Sequence, residues 1–494
     1  MISVDRSESN MVKGFLAAPS VVRVSEKFSL GVKVLGDVYD CPPACYYPKQ
    51  KIPQQKGRFN LSPRGIIFKD HVLPDWRGTI IIEGDESYDG PIEYSFANER
   101  GIFEGDTRAI ARIDGLTFDQ PGFHFLTIRD PTSGVSGVSN PIFVCEKEPE
   151  EMLFWGDLHC HTIFSDGIRC PEELYSFAKN ESFLDIFALS DHAESLTDRQ
   201  WDYFVEVAND YYQPYSFVTF IGFEWTNHRL GHRNIYYPGD YGPILRPDDP
   251  AYDRLEKIWE AAEEHKALVI PHHSANAVMG VDWHLGHDPK VERLVEIYSI
   301  WGNSERPAWQ GNPRPIRVLR GEREGRHVID GLAMGYQMGF IGGGDIHDGR
   351  PGDELHSLQK RPEEYRLLWR QGLMGVWAKR LTREDIFEAL YDRRVFATSN
   401  VRVFLRFSVC DAPMGTAIRH AGPRTIRCQA ASEVPFASLE IIRNGRVIRR
   451  LEPKKCILNL SFTDEGSGGS DYYYVRLIRV DGEITWSSPV WVKT

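Results

Sequence analysis

No stretch of this sequence stays apolar for the roughly 20 residues that a membrane-spanning helix needs, so no membrane association is expected. Cysteine is sparse and scattered: eight stand among 494 residues, at 41, 45, 145, 160, 170, 410, 428 and 456. Cys41-Pro42-Pro43-Ala44-Cys45 offers a clip or a metal pair, but no second pair repeats its spacing. The thiols therefore read as mostly free, in a reducing compartment. The first eight residues lack the basic and apolar regions of a secretory signal, and the expected location is cytoplasmic. Positive charge is also short. The formal net charge of −12 disfavours a broad nucleic-acid surface but leaves room for a small anionic substrate held locally. A Walker-type glycine loop, clear internal repeats and long low-complexity tracts are all missing.

What is present is ample core material, 41% hydrophobic, in a chain long enough for about three domains. Residues 1–150 hold β-rich segments at 28–34, 78–83, 108–113 and 122–128, punctuated by Gly, Pro and Asp, as in an antiparallel sandwich. A glutamate-rich linker at 145–151 leads into 151–400, where strands and helices alternate. Helices are expected over 171–179, over 252–265 with Leu255, Ile258, Trp259 and Ala262 on one face, over 326–338, and after Thr382, a capping residue followed by Glu384 and Asp385. Residues 401–494 return to strands. Asn444-Gly445 and Asp481-Gly482 mark two hairpins of a small β-sandwich.

Chemistry concentrates in the middle region. Gly156-Asp157-Leu158-His159-Cys160-His161-Thr162-Ile163-Phe164-Ser165-Asp166-Gly167 sets two histidines two apart after an apolar pair, and a strand would aim both at one face. Paired imidazoles suit a divalent transition metal, and Asp166 follows within reach. Four further segments end or begin strands with such residues: Asp191-His192, Glu224 within the apolar run 220–225, His232, and His272-His273. A last strand ends in Gly342-Gly343-Gly344-Asp345-Ile346-His347. A carboxylate inside an apolar run, as at Glu224, needs a partner or a metal. His272 and His273 would point to opposite faces if their strand continued, so one of the two is expected to ligate.

Taken in order, His-x-His with Asp, Asp-His, Glu, His, His and Asp-x-His resembles the motif series of the PHP (polymerase and histidinol phosphatase) family over about residues 151–400. The resemblance implies an α/β fold, a distorted (β/α)7 TIM-like barrel flanked by N-terminal and C-terminal β-sandwich-like domains, with ligands at the C-terminal strand ends. It implies two or three divalent ions, zinc, manganese or iron. One would take His159, His161, Glu224 and Asp345; a second would share Glu224 and add His232 with His272 or His273; a third would take Asp166, His192 and His347. The expected activity is hydrolysis of a small phosphate ester by a hydroxide bridging the ions, with Asp345 orienting it and His192 or His347 assisting the leaving group. Hydrolysis of a carboxylic ester or amide, and a non-catalytic metal-binding scaffold, are the alternatives.

Neighbouring residues extend the expectation. Arg350, just past His347, could pair with a phosphate, as could Arg229 and Arg233 around His232; the alternative for each is a surface charge. Glu296 reads as a support for a ligand. Ser304 and Glu305 resemble pocket-loop residues of multidomain PHP proteins. His284 and His287 read as loop residues outside the site.

Overall fold

A computed structural model describes residues 13–35, 76–96, 109–352 and 368–494. The Cys41–Cys45 pair and His71 lie outside these residues.

The N-terminal region is β-rich, as expected. Phe28–Leu35 pairs with Lys13–Ala17 and with Ile110–Phe118 in an eight-stranded sheet, beside a three-stranded sheet of Val21–Arg23, Ile142–Cys145 and Gly122–His124. Leu30, Val32, Val34, Ile80, Ile113 and Ile128 form its core. The predicted strand at 122–128 is two short ones, Gly122–His124 and Thr127–Arg129.

The central region corrects the barrel expectation. The largest sheet has 13 strands and runs from Leu268–Pro271 through Arg233–Tyr237, Val218–Trp225, Ile186–Ala188, Met152–Asp157, Leu373–Ala378 and Val395–Thr398. Only the Met152–Asp157, Ile186–Ala188 and Val218–Trp225 neighbours pair in parallel; the others on that path are antiparallel. Leu294–Ser299 and Gly339–Gly342 form a separate parallel pair. Five α-helices occur among the described residues, too few to follow every strand as a (β/α)7 or TIM-like barrel demands. Val218–Trp225 and Arg233–Tyr237 are joined by the loop 226–232 alone, which permits only an antiparallel return. The chain is strand-dominated, with helices Pro171–Asn180, Asp198–Tyr211 and Leu255–Glu264 packed against parts of the sheet.

Local physics explains most elements. Val218–Trp225 is buried at every position, and its valine, isoleucine and aromatics suit a strand covered on both sides. Leu255, Ile258, Trp259 and Ala262 form the buried stripe of their helix. Thr382 caps Arg383–Tyr391 by accepting from Asp385 N at 3.2 Å. The helix expected over 326–338 shrinks to Val328–Ala333, because Gly335 adopts a left-handed φ of 91° and ends it.

The C-terminal strands continue the central sheet. Val395–Thr398 pairs with Ile484–Ser487, which pairs with Asp471–Arg479. Asp471–Arg479 also pairs with Phe436–Arg443, and Leu405, Phe407, Ile426 and Cys428 from a four-stranded sheet pack in one core with Leu439, Ile441, Val475 and Leu477. This is the expected sandwich. Asn444 and Gly445, both at positive φ (51° and 75°), make its tight turn. No helix among the described residues is long and apolar enough to cross a membrane.

Candidate metal centre

Backbone pairing beyond the strand ends builds the site. Met152–Asp157 stops short of the histidines, yet a bridge joins Cys160 to Ile346 in parallel. Asp345 N donates to His159 O at 2.8 Å and His161 N to Ile346 O at 2.9 Å. Cys160 and Ile346 thus point one way, and their neighbours His159, His161, Asp345 and His347 point the other. A second bridge sets His192 beside Glu224. Glycines make the close approach possible. A Cβ on Gly343 would lie 2.0 Å from Glu296 Oε2, and one on Gly344 would lie 2.6 Å from Asp157 Oδ2.

All the candidate ligands meet there. Four groups hold donor atoms within 4.8 Å of one another: His161, Asp166, His192 and His347; His232, His272 and His273; His159, His272 and Asp345; and His159, His161 and Glu224. His159 Nε2 stands 3.5 Å from Glu224 Oε2 and 3.4 Å from Asp345 Oδ1. His161 Nε2 is 3.4 Å and 3.6 Å from the same two atoms. Asp166 Oδ1 is 3.3 Å from His192 Nε2 and 3.1 Å from His347 Nε2. These separations match those of ligands about 2.1 Å from a shared ion, and those around Glu224 and Asp345 are longer than an ordinary hydrogen bond.

The expectation that His272 and His273 diverge does not hold. The strand ends at Pro271, and His273 has a φ of 32°, which turns its ring back to 4.3 Å from that of His272. Asp345 also sits in the left-handed region, φ 49°. Such strain persists where the surroundings over-determine it, as at functional sites.

Supports fix which nitrogen each ring presents. His159 Nδ1 lies 3.0 Å from Glu296 Oε2, His161 Nδ1 3.3 Å from Ser165 Oγ, and His192 Nδ1 2.6 Å from Thr226 Oγ1. The Nε2 atoms of His159 and His161 are buried and make no hydrogen bond; neither do His272 Nδ1 and Nε2, His273 Nδ1 or Asp345 Oδ2. Buried polar atoms are rarely left so, and neutral imidazole and carboxylate are ligand types for zinc, manganese or iron. The residues therefore fit divalent ions. Asp191 braces the turn, accepting from Thr162 N at 3.0 Å and Ser165 Oγ at 2.6 Å.

Charge balance points the same way. Burial opposes ionisation of Glu224, but His192, His232 and His272 outweigh it and hold the carboxyl well below its usual range. Burial likewise opposes ionisation of Asp345, and His159 and His161 outweigh it. His161 is raised to about 9 despite burial and the neighbouring His192. Burial and the neighbouring His232 bring His273 down to about 3, which keeps it in the neutral form that binds metals. Asp157, which accepts from His159 N and Gly344 N, is pushed up by burial to about 7.

Other expectations are corrected. Arg233 is fully buried in an ion pair with Glu292 at 2.7 Å and is a structural tie, not a phosphate partner. Glu305 is no pocket residue: Tyr474 Oη at 2.7 Å, Trp486 Nε1 at 2.8 Å and Arg476 all donate to it from the C-terminal strands. Arg350 is 3% exposed, so it is not a surface charge, whereas Arg229 is exposed. His287 pairs with Glu292 at 3.0 Å, and neither it nor His284 joins a ligand group. The sequence places His228 in the polar loop beside His232, where it competes with it as a candidate, and its Nδ1 lies 2.7 Å from His232 Nε2. Sequence reasoning passed over Glu194, whose buried Oε2 makes no hydrogen bond. The only cue was its spacing from His192.

A family described as a protein of unknown function, DUF3604, matches residues 170–306 and 331–413. An uncharacterized protein of Chlamydia pneumoniae is 27% identical over 402 residues, 77% of this chain and 63% of that protein. One from Chlamydia trachomatis serovar D is 25% identical over 409 residues, with the same coverage. The chain thus spans about 63% of the length of these relatives. Among solved structures, Clostridium thermocellum CbhA fibronectin(III)-like modules align with 18% of this chain and 94% of theirs, at 17% identity and TM-score 0.15. Bacteroides uniformis β-glucuronidase aligns with 97% of this chain and 60% of its own, at 9% identity and TM-score 0.16. Neither score defines a shared fold. The match to DUF3604 and the strand-rich architecture overturn the assignment to the PHP family.

Proposed function

We infer that the chain is a metal-dependent hydrolase acting on an anionic ester, with a phosphate ester as the favoured substrate. One observation carries this reading: ten histidine and carboxylate side chains converge in four overlapping groups, with imidazole nitrogens buried and unbonded. Divalent ions held there would supply Lewis-acid charge and lower the pKa of a water molecule. The chain's own residues do the rest. Glu296, Ser165 and Thr226 hold the far nitrogens of His159, His161 and His192, so each ring keeps its orientation. Asp345 directs Oδ1 between His159 and His161 and leaves Oδ2 without a hydrogen bond, placed to orient a nucleophile. His192 and His347, with side chains 14% and 13% exposed, and Asp166, at 30%, form the open edge by which substrate reaches the cluster. A panel of phosphomonoesters, phosphodiesters and carboxylic esters, assayed with the metal-reconstituted full chain, tests the reading. Turnover of a phosphate ester that Asp345→Asn abolishes supports it; turnover of none, with metals bound, contradicts it.

A further inference from the structure

Between the strand Leu294–Ser299 and the helix Val328–Ala333 the chain makes a long excursion, 306–326, that carries Arg306, Arg314, Arg317, Arg320, Arg323 and Arg326. This is a local excess of positive charge in a chain of net charge −12. Its acidic residues are turned to its own support. Glu322 Oε1 accepts from Ala308 N at 2.8 Å and its Oε2 lies 3.3 Å from His327 Nε2, while Glu324 accepts from Trp309 Nε1 at 3.1 Å. Arg314 is spent on Glu483, 2.8 Å away.

The excursion is fastened beside the metal centre. Arg323 N donates to Ala275 O at 2.8 Å, Ala277 N donates to Gly321 O at 2.9 Å, and a bridge joins Asn276 to Glu322. Those partners begin two residues after His273, within about 7 Å of chain at full extension. Leu319 and Arg320 both take left-handed φ values, 47° and 70°, ahead of Gly321 at 76°. Arg320 and Arg323 are exposed and form no ion pair among the described residues.

A second line of contacts leads outward from the ligands to the same rim. Trp301 lies 5.8 Å from His273, ring to ring, and its buried indole nitrogen makes no hydrogen bond. Its neighbour Ile300 donates to Gly344 O at 3.2 Å and accepts from Trp369 N at 2.7 Å. The Arg317 guanidinium stands 3.8 Å over the Trp369 ring. An unsatisfied buried donor beside His273, with the Arg317 guanidinium further out over Trp369, suits a ligand that extends from the candidate metal site toward the excursion.

We propose that this rim binds a second anionic group of the substrate, so the substrate carries a negative charge at each end: one at the metals, the other at Arg320 and Arg323. The assignment rests on the hydrolase reading above and narrows its substrate class. Calorimetric titration of the metal-loaded full chain with hexyl phosphate and with hexane-1,6-diyl bisphosphate tests it. The bisphosphate is expected to bind about tenfold tighter, with an advantage that shrinks as salt rises. The double variant Arg320→Gln, Arg323→Gln should bind both ligands alike, at the affinity wild type shows for hexyl phosphate. Both positions are exposed, so the variant should melt as wild type does. Equal binding of the two ligands by wild type, or a bisphosphate preference that survives the double substitution, overturns the rim and leaves the hydrolase reading intact. If neither ligand binds the metal-loaded protein, the phosphate-ester reading falls, and the rim with it.

Discussion

Glu224 Oε1 lies 2.7 Å from His232 Nδ1, while Glu224 Oε2 faces His159 and His161. One carboxylate therefore spans two histidine groups. Glu224→Gln keeps the shape and removes the charge both groups share. We expect the variant to lose bound metal and at least about a hundredfold in turnover, because a ligand matters more than the outer partners whose loss costs about 10–100-fold. Elemental analysis beside a kcat measurement checks this; full metal content would remove Glu224 from the ligand set.

Glu296 holds His159 by its far nitrogen and is itself buried. Glu296→Ala should weaken metal affinity by roughly 10–100-fold while leaving the ligands in place. Gly343→Ala should act through the same residue, since its Cβ would meet Glu296 Oε2 at 2.0 Å. Chelator competition reads both variants. Unchanged affinity in each would show that the His159–Glu296 contact does not orient the ring.

Histidines of the flanking β-regions should be silent in metal binding. His124 is held by Asp85 at 2.6 Å and Gln120 O at 3.0 Å, and His420 by Pro423 O at 2.9 Å. Alanine at His71, His124 and His420 should leave metal content unchanged, with a stability cost of about 1 kcal/mol for the His124 hydrogen bonds. A loss like that from His159→Ala would contradict the placement of the centre in the middle region.

Acid should loosen the seam between the central and C-terminal strands. Burial alone would raise the Glu305 carboxyl, but Arg476, Arg306 and the donors Tyr474 and Trp486 hold it below its usual value of 4.5. A depressed folded value means that the stabilisation is complete above about pH 4.5 and is lost as pH falls through the lower folded value. Glu305→Gln should remove that dependence and cost about 2 kcal/mol at neutral pH, because the buried Arg476 loses one of its two carboxylate partners and keeps only Glu440. Melting temperatures of both proteins between about pH 7 and 3 measure it; parallel curves would show that Glu305 carries no such linkage.

The site was far more legible in the sequence than the architecture around it. The candidate ligands stand in short apolar contexts where type and spacing are visible, and His159, His161, Glu224 and Asp345 do converge. Strand polarity leaves no such trace. The apolar runs ending at Trp225 and Pro271 read the same whether the next strand returns parallel or antiparallel, so nothing in them spoke against the barrel that the PHP resemblance implied and the pairings contradict. Backbone conformation was equally hidden. Strand alternation sends His272 and His273 apart, and only the positive φ of His273 brings them together. Arg233 and Glu305 looked available because their partners, Glu292 and Arg476, lie 59 and 171 residues away. The helix Asp198–Tyr211 escaped notice although Thr197 and Gln200 form its capping box.

The most direct test of the metal centre is elemental analysis of the full chain purified without chelator, then titrated with zinc, manganese and iron. The groups around Glu224 and around Asp166 are too many for one coordination shell, so at least two divalent ions per chain are expected. One ion or none, with no further binding on titration, would contradict the account.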